Sequence, residues 1–150
     1  MTDTARLSEI VASHAEREGA LLPILHDVQA EFGFIPEAAL DPIATALRLS
    51  RAEVAGVIGF YHDFRRQPAG RHVLKLCRAE ACQAMGGVAL QARLERALGQ
   101  KIGETKDGIT FEAVYCLGLC ACAPAAQVDG RLVGRLDAAA VDALAEEMRA

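Results

Sequence analysis

The chain has 150 residues, 52% of them hydrophobic, which is ample for the core of one ordinary domain or two small ones. Its formal net charge of −4 argues against the basic footprint of a nucleic-acid-binding protein. No apolar run approaches the roughly 18–20 residues of a membrane helix, and Met1–Arg6 leads into charged residues rather than an apolar signal core, so a cytoplasmic protein without membrane insertion is expected.

The first part of the chain reads as helices. Leu7, Ile10, Val11 and His14 mark one face of a first helix. Pro23 suits an early position in a second, which Gly33 ends. Residues 36–47 suggest a third. Ser50 and Glu53 form a capping-box pattern in front of Val54, Val57, Ile58 and Tyr61, a fourth. Phe60, Tyr61 and Phe64 lie at helical spacing, fitting either a core stripe or an anchor for a partner, and Arg65–Arg66 reads as the basic end of that helix. The segment Gln67–Gly70 divides the chain, giving an expected helical region over residues 1–69 and a second domain over residues 70–150.

After Gly70 the pattern changes. A strand over 72–77 is followed by a helix from beyond Cys82 to Leu98, ended by Gly99. Lys106–Gly108 reads as a turn, residues 110–115 as a strand and residues 116–124 as a loop rich in Gly, Cys and Pro. Ala126–Val128 and Arg131–Val133 flank Asp129–Gly130, a strong hairpin signal, and Asp137 caps a last amphipathic helix running to Met148. The fold class is α+β, an N-terminal helical bundle followed by a βαββα domain. Its first two strands are expected to be parallel through a crossover helix.

Four of the five cysteines form two pairs. Cys77 and Cys82 have four residues between them, Cys116 and Cys120 have three, and each pair follows a predicted strand. If those strands are parallel, both pairs start at the same end of the sheet. In a cytoplasmic chain such cysteines point to metal or redox chemistry before disulfides. Four thiolates suit a zinc ion or an iron–sulfur cluster, and spacing alone does not choose between them. Cys122 reads as a small apolar residue beside the loop, or as a reserve ligand. Gly118 and Pro124 shape that loop. Gly86–Gly87 fits no phosphate-loop pattern and reads as a place of close packing, so neither NAD nor FMN is expected on this chain. His14, His26, His62 and His72 show no metal-ligand spacing. Arg78 follows the first cysteine and would bring a cation near any bound centre.

The C-x4-C and C-x3-C spacings, the Cys116–Pro124 loop and the Gly59–Phe64 segment together resemble the thioredoxin-like [2Fe-2S] ferredoxins. This family includes the 24-kDa-type subunit of respiratory complex I and its relatives in NAD-reducing hydrogenases and NAD-dependent formate dehydrogenases. The resemblance covers nearly the whole chain. Phe60–Arg65, Cys77–Cys82 and Cys120–Pro124 look most like the gamma subunit of the soluble formate dehydrogenase.

The resemblance implies a thioredoxin-like second domain and one [2Fe-2S] cluster held by Cys77, Cys82, Cys116 and Cys120. It also implies a non-catalytic electron-transfer subunit of an NAD-dependent oxidoreductase, most closely formate dehydrogenase. FMN and NAD would sit on a partner flavoprotein, beside a larger catalytic subunit. The alternatives are the equivalent subunit of complex I or of an NAD-reducing hydrogenase and, from another class, a zinc-stabilised adaptor.

Overall fold

Helical periodicity in the first 60 residues is realised as α1 (Thr4–His14), α2 (Leu21–Phe32), α3 (Leu40–Leu47) and α4 (Arg51–Phe60). This computed structural model describes residues 3–14 and 16–150, so the part of the N-terminal reading that rests on Met1 and Thr2 lies outside the described residues. The chain forms two compact units, Met1–Pro68 and Ala69–Ala150.

Local sequence explains the helix ends of the first unit. Gly33, at φ 79°, closes α2 with its N–H on the Gln29 carbonyl. Pro36 is extended, so a single 3₁₀ turn (Glu37–Ala39) precedes α3 and delays it beyond the expected start. At α4 the capping box forms in full: the Glu53 N–H donates to Ser50 Oγ at 3.2 Å, and the Ser50 N–H donates to the Glu53 carboxylate at 2.7 Å. Leu7, Ile10 and Val11 of α1 meet Ile24, Leu25 and Val28 of α2, with Ile43, Val54 and Ile58, in one buried cluster.

The aromatic segment departs from its helical spacing. Because α4 stops at Phe60 and Tyr61 is extended, Phe60 and Tyr61 are exposed and meet edge to face at 5.1 Å. Phe64 turns inward and packs on the His26 ring, also at 5.1 Å. Arg65 and Arg66 therefore lie past the helix rather than at its basic end, and Arg66 pairs with Glu37.

In the second unit the elements are β1 (His72–Cys77), α5 (Glu80–Ala84), α6 (Gly87–Leu98), β2 (Thr105–Lys106), β3 (Ile109–Val114), β4 (Ala126–Val128), β5 (Arg131–Val133) and α7 (Ala138–Glu147). Among the described residues they give one mixed sheet of order β2-β3-β1-β4-β5, in which β1 and β3 are parallel and the other pairs antiparallel. The short β2 is an addition to the expected order. The turn at Asp107–Gly108 closes a hairpin between it and β3, just as Asp129–Gly130 closes β4–β5. Both Asp-Gly pairs have positive φ at each residue, the twist a two-residue hairpin needs. Asp129 also ties its hairpin to β1, accepting from the Val73 N–H and pairing with His72 Nδ1, each at 2.7 Å.

Period-two alternation places Leu74 and Leu76 on one face, where with Phe111 and Val128 they meet Leu94 and Leu98 of α6 and Val141, Leu144 and Ala145 of α7. Arg93 of α6 grips Asp142 of α7 with two hydrogen bonds, at 2.6 and 2.5 Å.

Glu95 fixes the exit from α6. Its carboxylate is held down to about 2 by the Lys101 ammonium at 2.8 Å and then the Gln91 amide at 2.9 Å, with the Ile102 N–H adding to them against the effect of burial. A lowered carboxylate pKa contributes stability above the unfolded value of ~4.3, which is lost as the pH falls towards the folded value. Glu95→Gln should therefore lower stability near neutral pH. In urea denaturation the gap to the parent protein should close as the pH falls from ~5 to ~2; a gap independent of pH would refute the linkage.

Candidate metal centre

Parallel pairing of β1 with β3 sets Cys77 opposite Val114, so the last residue of β1 and the start of the loop holding Cys116 share one edge of the sheet. The Arg78 N–H donates to the Val114 carbonyl at 2.8 Å and the Cys77 N–H to the Ala125 carbonyl at 3.0 Å, stitching the cysteine loops together at that edge. Cys82 lies on α5, which stops after Ala84 because Gly86, at φ 92°, redirects the chain into α6. Gly87 then sits against Cys82: a β-carbon there would be 2.6 Å from the Cys82 carbonyl oxygen. Gly87 thus serves close packing, whereas Gly86, with open space where a side chain would be, serves through its positive φ.

The second pair lies on a loop with unusual backbone. Cys116 has φ 105°, a conformation that a residue with a side chain adopts at a cost. Gly118, at φ 74°, turns its N–H onto the Cys116 sulfur at 3.3 Å. A 3₁₀ turn at Cys120–Cys122 brings Cys120 Sγ to 3.8 Å from Cys116 Sγ. Two thiolates on one tetrahedral metal at ~2.3 Å would stand about 3.8 Å apart, so the separation fits a shared metal. Cys77 and Cys82 form the other pair, their thiols near enough to shift one another's titration. Among the described residues, no three or more His, Cys, Asp or Glu side chains gather to hold one ion. The donors come as two all-sulfur pairs, which suits a binuclear centre of soft ligands.

The pairs differ in environment. Cys77 and Cys82 are buried with Ala125, while Cys116 and Cys120 are exposed. Burial pushes the Cys77 thiol up, but the Ala79 N–H, the Cys82 thiol and the Cys116 and Leu117 N–H groups outweigh it and hold Cys77 below the usual cysteine value. Burial raises Cys82, as do its hydrogen bond to Cys77 and that residue's charge, against a backbone donor at Ala125. Cys120 is raised by its hydrogen bond to Cys116 and by the charge there. Backbone donors therefore converge on the sulfurs.

The remaining candidates fall elsewhere. Cys122 is half-buried; its carbonyl accepts from the Arg135 N–H at 2.5 Å, and its β-carbon lies where a side chain on Gly134 would need to be. Arg78 is half-buried and tied through its backbone, its carbonyl accepting from Gln83 Nε2 at 2.9 Å. His14 pairs with Asp27 at 2.6 Å, while His72 and His26 have the partners already given. Sequence reasoning missed Gly134 and the donors at Ala79, Leu117 and Ala125. Backbone donors leave no residue-type signature, and a lone glycine after β5 looks like any other turn.

Residues 7–149 match the model of the thioredoxin-like [2Fe-2S] ferredoxin family. The chain is 39% identical over 152 residues to an NADH-quinone oxidoreductase subunit of Rhizobium meliloti (strain 1021), covering all of this chain and 90% of that protein. It is 33% identical over 138 residues to the corresponding NADH-quinone oxidoreductase subunit of Escherichia coli (strain K12), covering 91% of this chain and 83% of that one. Among solved structures, the NAD+-reducing [NiFe]-hydrogenase in its air-oxidised state superposes with a TM-score of 0.71 at 34% identity, over 86% of this chain but 22% of the longer hydrogenase chain.

The two close approaches predict how the loops respond to added volume. Gly134→Ala would set a β-carbon 2.8 Å from the Cys122 β-carbon, and Gly87→Ala one 2.6 Å from the Cys82 carbonyl oxygen. Both should reduce the metal held per chain. Gly56→Ala, with open space around it in α4, should not. Metal analysis of the three purified variants checks this; equal content in all would show that the glycines do not position the cysteine loops.

Proposed function

The chain belongs to the thioredoxin-like [2Fe-2S] ferredoxin family, and we propose that it is the one-electron carrier subunit of an NAD-linked oxidoreductase complex. In this reading Cys77, Cys82, Cys116 and Cys120 hold one [2Fe-2S] cluster, and electrons pass between it and the FMN of a partner flavoprotein that reacts with NAD. A larger catalytic subunit completes the complex, which lies in the cytoplasm. Among the described residues no helix is long and apolar enough to cross a membrane. The observation that carries the reading is the arrangement of two all-cysteine pairs at one sheet edge, one of them at the 3.8 Å separation of two ligands on a tetrahedral iron.

The relatives described above favour a complex of the NADH-quinone oxidoreductase or NAD+-reducing hydrogenase type over the formate dehydrogenase suggested by the sequence. The resemblance to the formate enzyme rests on the few residues of Phe60–Arg65, Cys77–Cys82 and Cys120–Pro124, whereas these similarities run along most of the chain.

Bound [2Fe-2S] supplies reversible one-electron chemistry. This chain's residues set the terms of it. The four thiolates anchor the group. Backbone N–H groups aimed at the sulfurs stabilise added negative charge and so favour the reduced form. Burial of Cys77 and Cys82 excludes water from one side of the centre, while Cys116 and Cys120 leave the other side within reach of a partner.

Replacing Cys77, Cys82, Cys116 or Cys120 by Ala should abolish or severely reduce iron and acid-labile sulfide, and Cys122→Ala should leave both largely intact. The parent chain should hold about two irons and absorb visible light. A colourless protein carrying zinc would select the adaptor reading instead, and near-normal iron in any of the first four variants would overturn the ligand assignment.

A further inference from the structure

Arg78 directly follows Cys77 and is half-buried. Its main chain is engaged on both sides: the N–H donates to the Val114 carbonyl at 2.8 Å, and the carbonyl accepts from Gln83 Nε2 at 2.9 Å. Its guanidinium, by contrast, has no carboxylate and no hydrogen-bond acceptor among the described residues. Glu80, two residues on, is exposed and forms no ion pair with it. Other arginines of the chain do have carboxylate partners: Arg51 pairs with Glu37 and Asp41, Arg93 with Asp142 and Arg131 with Glu147. Taking a cation partly out of water without a partner costs free energy, so a half-buried, unpaired guanidinium beside a metal ligand calls for an anion.

We propose that Arg78 is the counter-charge of the metal centre, and that its guanidinium raises the reduction potential of the group held by Cys77, Cys82, Cys116 and Cys120. This role rests on the electron-carrier reading above and adds a side chain that sets how readily the carrier accepts its electron. Four thiolates and two sulfides outweigh two ferric ions, so a [2Fe-2S] centre is anionic and gains one further negative charge on reduction. A nearby cation therefore favours the reduced form over the oxidised one. Adjacent α-carbons stand about 3.8 Å apart, which keeps the Arg78 side chain within roughly one Debye length, ~10 Å, of the Cys77 sulfur. Backbone N–H groups at the sulfurs bring partial charges, whereas a guanidinium brings a full one that persists at any working pH. Partial burial of Arg78 also weakens screening by salt. Arg135, whose N–H donates to the Cys122 carbonyl, is exposed, so water and salt screen its charge.

The test measures the midpoint potential of the full, cluster-loaded chain by EPR-monitored reduction at low salt. The parent is compared with Arg78→Gln and Arg78→Met, which remove the charge, and with Arg78→Lys, which keeps it. Arg71→Gln serves as the control, because Arg71 is exposed and precedes β1, whose six residues put roughly 20 Å between it and the cysteine edge. Iron and acid-labile sulfide report the integrity of the centre. With iron content unchanged, Arg78→Gln and Arg78→Met should shift the redox equilibrium about tenfold towards the oxidised form, which for a one-electron couple is ~59 mV lower. Arg78→Lys should stay within threefold of the parent, and Arg71→Gln within twofold. An unchanged or raised potential in the uncharged variants would overturn the counter-charge and leave the carrier reading standing. So would a fall in Arg78→Lys as large as in Arg78→Gln, since packing rather than charge would then be at work. If one uncharged variant holds too little iron to measure, the other carries the comparison. Loss of iron from both would show that Arg78 is needed to hold the centre and would overturn its role in tuning it. A parent chain that holds no iron at all would overturn the carrier reading together with this one.

Discussion

The parallel pairing of β1 with β3 is the constraint on which the rest of the second unit depends. Its register, Cys77 opposite Val114, is worth more to the site than any single contact. A slip of one residue would turn Leu74 and Leu76 away from Phe111, Leu94 and Val141, and would carry Cys77 to the wrong face of the sheet. Burial of the hydrophobic face therefore fixes the position of the cysteines. The helix connecting the two strands has to return the chain to the same starting edge, and α6 does so while contributing Leu94 and Leu98 to the core it crosses.

Beyond the sheet edge, control passes from side-chain burial to backbone geometry. Glycines are used where main chain must come close, at Gly87 beside Cys82 and at Gly134 beside Cys122. Cys116 accepts a positive φ, and N–H groups of its own loop are thereby directed at the sulfurs of Cys77 and Cys116. Strain of this kind persists only where the surroundings over-determine it. Here the surroundings are the β1 and β3 ends on one side and the Arg135–Cys122 hydrogen bond on the other.

The helical unit has a separate core and a different kind of exposed feature. Phe60 and Tyr61 emerge where α4 ends, while Phe64, a few residues on, is buried on His26. One short aromatic segment thus contributes both to internal packing and to exposed surface. The change of role comes from the extended backbone at Tyr61, which breaks the helical phase.

Much of this was legible in the sequence for definite physical reasons. Helical periodicity, the Ser50–Glu53 capping box, Gly33 and Gly99 as helix stops, and the two Asp-Gly turns are local signals, because each depends on residues within a few positions of one another. The cysteine spacings and the Cys116–Pro124 loop were enough to bring the family into view, and the match over residues 7–149 agrees. Other features required tertiary structure. Only the fold decides that Cys77 and Cys82 are buried while Cys116 and Cys120 are exposed, since burial depends on elements distant in the chain. The N–H donors of Ala79, Leu117 and Ala125 carry no mark in the residue type, because every residue but proline has one. Residue order gave no warning that the helical spacing of Phe60, Tyr61 and Phe64 would be broken, or that β2 would add a strand at the edge of the sheet. Periodicity names the face a residue would occupy if its helix continued, but where the helix stops is settled by what the next residues pack against.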